Sequence, residues 1–148
     1  MNTCVLTLAY EQHCPRHQLS VDVPNRRSPY FKIWQDFKAG KFTLCVSTEI
    51  LMEYEEIIAS KTSPEIAANV IAAILTRANT YKVDVRFHFN LISSDPDDNK
   101  FVDCAVRSGA RYIVTEDHHY DILKTVPFPQ VDVLDIDSFL LFLSVEKE

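Results

Sequence analysis

The sequence predicts an α/β fold: a three-layer α/β/α domain around a mainly parallel sheet. Three observations carry this reading. After Lys41, short β-rich runs alternate with helical stretches, the order that crossover helices and parallel strands produce. The chain has 148 residues, enough for one domain and little more. Its apolar fraction of 47% supplies a buried sheet and the helices that cover it.

The elements follow in order. Lys41 to Ser47 is β-rich after Gly40 and reads as a buried strand. Ile50, Leu51, Tyr54, Ile57 and Ile58 then recur at three and four, which gives a helix one apolar stripe. Ser63-Pro64-Glu65 is a helix start. Serine caps, proline fits the first turn, and the carboxylate meets the positive end of the dipole. That helix runs through Leu75. Val83 to Phe89 alternates and reads as a strand, and Leu91 to Asp97 as a polar loop. Asp98 to Ser108 reads as a helix stopped by Gly109. Arg111 to Thr115 is a short strand, and Glu116 to Lys124 a polar turn with a short helix. Val131 to Leu134 is a further strand, and Ser138 to Leu143 a closing helix.

Composition removes several function classes. Only Gly40 and Gly109 occur, so neither a GxGxxG nor a Walker A phosphate loop can be written. The net charge of −6 argues against holding nucleic acid by bulk electrostatics; by composition alone it reads as a solvated acidic surface, the alternatives being weak local contacts to nucleic acid or a cation site. Cys4, Cys14, Cys45 and Cys104 have no CxxC spacing and read as reduced thiols of a cytoplasmic protein. No signal peptide and no membrane span is legible.

Chemistry is concentrated in carboxylates near strand ends, where open parallel sheets form their sites. Glu53 lies in the helix after the first of these strands. Asp95, Asp97 and Asp98 cluster where a loop meets a helix start, and Glu116 and Asp117 follow Thr115 directly. Carboxylates converging on one point repel, and a hard cation such as Mg2+ or Mn2+ relieves that repulsion. Each residue also has a plain structural role: Asp98 as helix cap, Asp95, Asp97 and Asp117 as turn formers, Glu53 as a solvated helix residue. His118 and His119 read as solvent-facing loop residues and Lys100 as a surface lysine.

The combination of Ser47-x-x-Ile-Leu-x-Glu53, Asp95-Pro-Asp-Asp98-Asn-Lys-Phe and Tyr112-Ile-Val-Thr-Glu-Asp117 resembles the PIN-domain (PilT N-terminus) family. The nearest branch is the toxin components of toxin–antitoxin systems, the VapC-like ribonucleases. The likeness runs from about Ser28 to Leu143. It implies a ribonuclease that hydrolyses RNA phosphodiesters with Mg2+ or Mn2+. Glu53, Asp98 and Asp117 would then be catalytic and metal-binding, with Thr115, Asp97 and Asp95 in support. It also implies an RNA substrate, a cognate antitoxin and a homodimer.

The chain departs from the family at its start. The family opens with a strand ending in Asp-Thr-Asn, and its Asp is a principal metal ligand. Here residues 13–25 carry two prolines and no such motif, a poor buried strand. A back-translation of His13–Asn25 within permitted codons, shifted by one base, reads Ile-Val-Leu-Asp-Thr-Asn-Cys-Leu-Leu-Met-Ser-Leu. Residues 1–25 are therefore expected to be an atypical, out-of-frame segment, followed by the PIN-like domain at 26–143 and a tail at 144–148. Val5–Tyr10 is the stretch available for a replacement strand, although Thr7 offers no charge to a metal. The activity is expected to be impaired by the missing aspartate. The alternative is a catalytically silent PIN fold that serves as a binding module for an antitoxin or another protein. A receiver-like signalling domain is disfavoured, because no strong central strand ends in an aspartate.

Overall fold

The computed structural model describes residues 7–9, 29–93, 98–115 and 118–145. The fold is α/β, as the alternation requires. The elements are β1 (Thr7–Ala9), α1 (Pro29–Lys38), β2 (Leu44–Val46), α2 (Thr48–Lys61), α3 (Pro64–Thr76), β3 (Thr80–Lys82), α4 (Asn99–Ser108), β4 (Tyr112–Thr115), β5 (Asp132–Leu134) and α5 (Ile136–Val145). A 3-10 segment, His118–Thr125, separates β4 from β5. All described strand pairs are parallel: β1 with β4, β4 with β5, and β2 with β3. They form two sheets, β1-β4-β5 and β2-β3, and within each the parallel strands put their carboxyl ends on one edge.

The core follows from the apolar pattern. Ile113 and Val114 of β4 and Cys45 and Val46 of β2 are fully buried, as is Cys104 of α4. Strands covered on both faces read as continuous apolar runs, as these do. An aromatic group closes one side. Phe42 meets Phe139 of α5 edge-on with ring centroids 5.2 Å apart, and Phe37 of α1 lies 5.8 Å from Phe42. Asn79 ties this region together, since its side-chain amide donates to the carbonyls of Phe37 and Phe42, 2.8 Å each. Among the described residues no helix is long and apolar enough to cross a membrane.

Helix limits follow local chemistry. Ser47 and Ser63 cap α2 and α3, accepting from the amides of Ile50 and Ile66. Gly109 ends α4 at φ 69°, the left-handed geometry that favours glycine, and Ala110 N–H returns to the Ala105 carbonyl.

Two sequence expectations change. Val83–Phe89 is not a strand; β3 ends at Lys82. The reason is on its partner: Val83 N–H still reaches the Val46 carbonyl, but Ser47 then turns away to cap α2 and nothing remains to pair. Helix α1 was not anticipated, although Pro29 at its first turn and buried Ile33 and Phe37 are a helix signal. The replacement strand does form. β1 pairs with β4 in the register Thr7 to Ile113, Leu8 to Val114 and Ala9 to Thr115.

Candidate functional site

The first turn of α4 organises the carboxyl edge. Asn99, buried, clamps the incoming chain: its Oδ1 accepts from Ile92 N–H and its Nδ2 donates to the Ile92 carbonyl, both at 2.9 Å. Such a two-way amide clamp fixes where the loop enters the helix, and so fixes Asp98 just before it. Asp98 is 6% exposed. It sits in right-handed helical backbone, φ −72° and ψ −18°, and makes no side-chain capping bond. The capping role that its position suggests is therefore not what it does. A buried carboxylate that does not cap needs another compensation, because burying a charge is costly.

Basic groups provide part of it. His119 Nδ1 lies 3.4 Å from Asp98 Oδ2; fully buried Tyr120 donates its hydroxyl instead to the main-chain carbonyl of Asp98 at 3.4 Å and so fixes the backbone there. One residue into the helix past Asn99, Lys100 Nζ pairs with Glu53 Oε1 at 3.1 Å. Their side chains are 20% and 14% exposed, so neither is the solvated surface residue that sequence position suggested. This pair joins α2 to the turn of α4 that follows Asp98. Thr115, 5% exposed, ends β4 in register with Ala9 of β1.

Of the six site residues expected from sequence, the structure describes Glu53, Asp98 and Thr115. Asp95, Asp97 and Asp117 lie outside the described residues. His119 is solvent-exposed, as its sequence position suggests, and the 3-10 turn also brings its Nδ1 against Asp98, which no spacing rule reveals. Lys100 is the neighbour that departs from its reading as a surface lysine. His118 does face solvent, bonding Asp121 at 3.2 Å and holding that carboxyl below its ordinary value.

Among the described residues no three His, Cys, Asp or Glu side chains form a metal-binding group. Glu53 and Asp98 each offer carboxylate oxygens, the donor type that suits a hard divalent cation. A second buried carboxylate, Asp103, is spent on structure. It accepts from Phe89 N–H and from His88 Nδ1, both at 3.1 Å.

A parallel α/β domain with carboxylates past its strand ends is the layout of a fold that binds and acts on ligands at that edge. The chain belongs to the PIN domain family: the family model matches residues 19–119. PIN domains form a nuclease-type superfamily. The match begins after β1 and ends before β5 and α5. No curated protein and no solved structure matches the chain.

Proposed function

We propose that this protein is a divalent-cation-dependent endoribonuclease, the toxin component of a toxin–antitoxin system in the cytoplasm. The observation that carries the reading is Asp98, a buried carboxylate at the start of α4 that does not cap its helix. Membership of the PIN family supports the nuclease chemistry, and PIN domains generally use Mg2+ or Mn2+.

In this reading Glu53 and Asp98 hold the cation with Asp117, while Asp95 and Asp97 act from outside and Thr115 helps to orient the site. The cation supplies a Lewis acid for the phosphate and lowers the pKa of a bound water. The chain's own groups do the rest. Glu53, paired with Lys100 at 3.1 Å, would be one of the residues that hold the cation, and the Lys100 ammonium would be available to a phosphate oxygen. His119 orients Asp98 from its open side. The Asn99 clamp fixes the chain that leads into Asp98, and a fixed Asp98 would help to position an attacking water. The partners are an RNA substrate, an antitoxin and a second copy of the chain.

The lack of Asp-Thr-Asn favours a second reading, a catalytically silent PIN fold that binds a protein partner. Cleavage of a mixed RNA with Mn2+ separates the two. The chain itself, its Asp98→Asn variant and a version with a frame-restored N-terminus are compared. Cutting that depends on Asp98 in either the parent or the restored chain supports the nuclease. No cutting by any of them leaves the binding module.

A further inference from the structure

The segment after β3 departs from its own pattern. Val83 is buried and Val85 half-buried, so period-two alternation would turn Phe87 inward. Instead Phe87 is 66% exposed, with its ring 4.6 Å from that of half-buried Phe89 in an edge-on pair. Residues 83–93 form neither strand nor helix, yet they are held firmly. Asp103 of α4, 2% exposed, takes the Phe89 amide and the His88 ring; Asn99 takes both backbone groups of Ile92. Arg107 of α4 donates Nε–H to the Asp84 carbonyl at 3.3 Å. A loop pinned by a buried carboxylate that holds an aromatic ring out into water is built to present that ring.

Its surroundings select the partner. Among the described residues of 82–93, Lys82 and Arg86 are exposed beside one exposed acid, Asp84, and exposed Arg107 reaches the Asp84 carbonyl. Excess positive charge here contrasts with the net −6 of the chain. Exposed aromatic rings interleaved with cations are how proteins hold single-stranded nucleic acid: bases stack on the rings and phosphates meet the cations. Asp103 lies five residues past Asp98 on α4, about 7.5 Å along the helix axis. The segment that carries the ring is therefore anchored on the helix that follows Asp98, at a point further along it.

We infer that the Arg86–Phe89 segment is a stacking platform for single-stranded RNA. An unpaired base lies on the face of Phe87, and the neighbouring phosphates face Arg86 and Arg107. The inference rests on the nuclease reading and adds where the substrate is gripped beyond the cut.

The test is fluorescence anisotropy in EDTA, where no cleavage occurs, with a labelled single-stranded RNA of about 12 nucleotides. The full chain is compared with its Phe87→Ala, Phe87→Leu, Phe87→Trp and Arg86→Gln variants. Phe87→Ala and Phe87→Leu are expected to weaken binding about 5- to 150-fold, equivalent to ~1–3 kcal/mol for one stacked base. Phe87→Trp keeps binding, and Arg86→Gln lowers the salt slope by about one. Fully double-stranded RNA is insensitive to Phe87. Parent-like binding by Phe87→Ala overturns the inference, and Asp98-dependent cleavage by the same protein then leaves the nuclease reading standing. Full binding by Phe87→Leu with loss in Phe87→Ala overturns stacking in favour of a plain apolar contact. A changed sedimentation coefficient in Phe87→Ala with unchanged RNA affinity assigns the patch to contact between copies and also overturns it. A parent that neither binds nor cuts single-stranded RNA overturns both readings.

Discussion

Replacing Lys100 by methionine keeps the length of the side chain and removes its charge beside Glu53. At 3.1 Å the gross attraction of this pair is about 5 kcal/mol for an effective dielectric near 20. Desolvation of two largely buried groups offsets most of it. Truncating one partner strands the other charge, and the residual exposure of 20% and 14% lets water relieve part of that. The expected loss is therefore about 1–3 kcal/mol, below the value for a fully buried pair. In a chain of this size ~2 kcal/mol is a fall of roughly 4–8 °C in Tm, read by calorimetry without metal. Adding Mn2+ should then stabilise Lys100→Met more than the parent, because Glu53 no longer has to exchange a resident ammonium for the cation. A Glu53→Gln, Lys100→Met double variant should lose less than the sum of the single losses, since both remove one interaction. The reasoning fails if Lys100→Met melts within about 1 °C of the parent and shows no larger Mn2+ shift.

Three further expectations follow from the same geometry. Asn99→Ala strands the N–H and carbonyl of Ile92 in a buried place, costing about 2–5 kcal/mol in urea unfolding; a loss under about 0.5 kcal/mol would show that the clamp is not formed. Burial raises the Asp36 carboxyl, but bonds from Lys32 and Lys41 outweigh it and hold the pKa below 3.8. The folded state thus binds this proton less readily than the unfolded state. The pair's contribution is present above pH 3.8 and fades as the pH falls through the lower folded value; Asp36→Asn should flatten stability against pH in that acid window. We also propose that residues 1–25 are read out of frame, and the gene decides this directly: bases that cannot encode Asp-Thr-Asn in the shifted frame end the idea.

Fold class was legible because strand and helix periods differ so plainly after Lys41, and caps such as Ser63-Pro64 mark their own boundaries. Strand length was not. Val83–Phe89 has a good strand pattern, yet a strand exists only where a neighbour offers a ladder, and Ser47 withdraws that neighbour. The acidic residues were legible as types but not as environments. Asp98 occupies the N-cap position that its sequence suggests, and only the structure shows that its side chain makes no capping bond there. His119 stands 21 positions away in sequence, and its approach to Asp98 depends on how tightly the 3-10 turn winds around buried Tyr120.

Both anchors of the 83–93 segment sit on α4: Asn99 holds Ile92 and Asp103 holds Phe89. A stretch with no ladder of its own has therefore borrowed the stability of a helix. In amide exchange the Phe89 and Ile92 protons should be slow and should open together with α4, as one cooperative unit, although no secondary structure protects them. A change that frays α4 would loosen the site turn and the exposed Phe87 ring together, so the two ends of the substrate grip rise and fall as one.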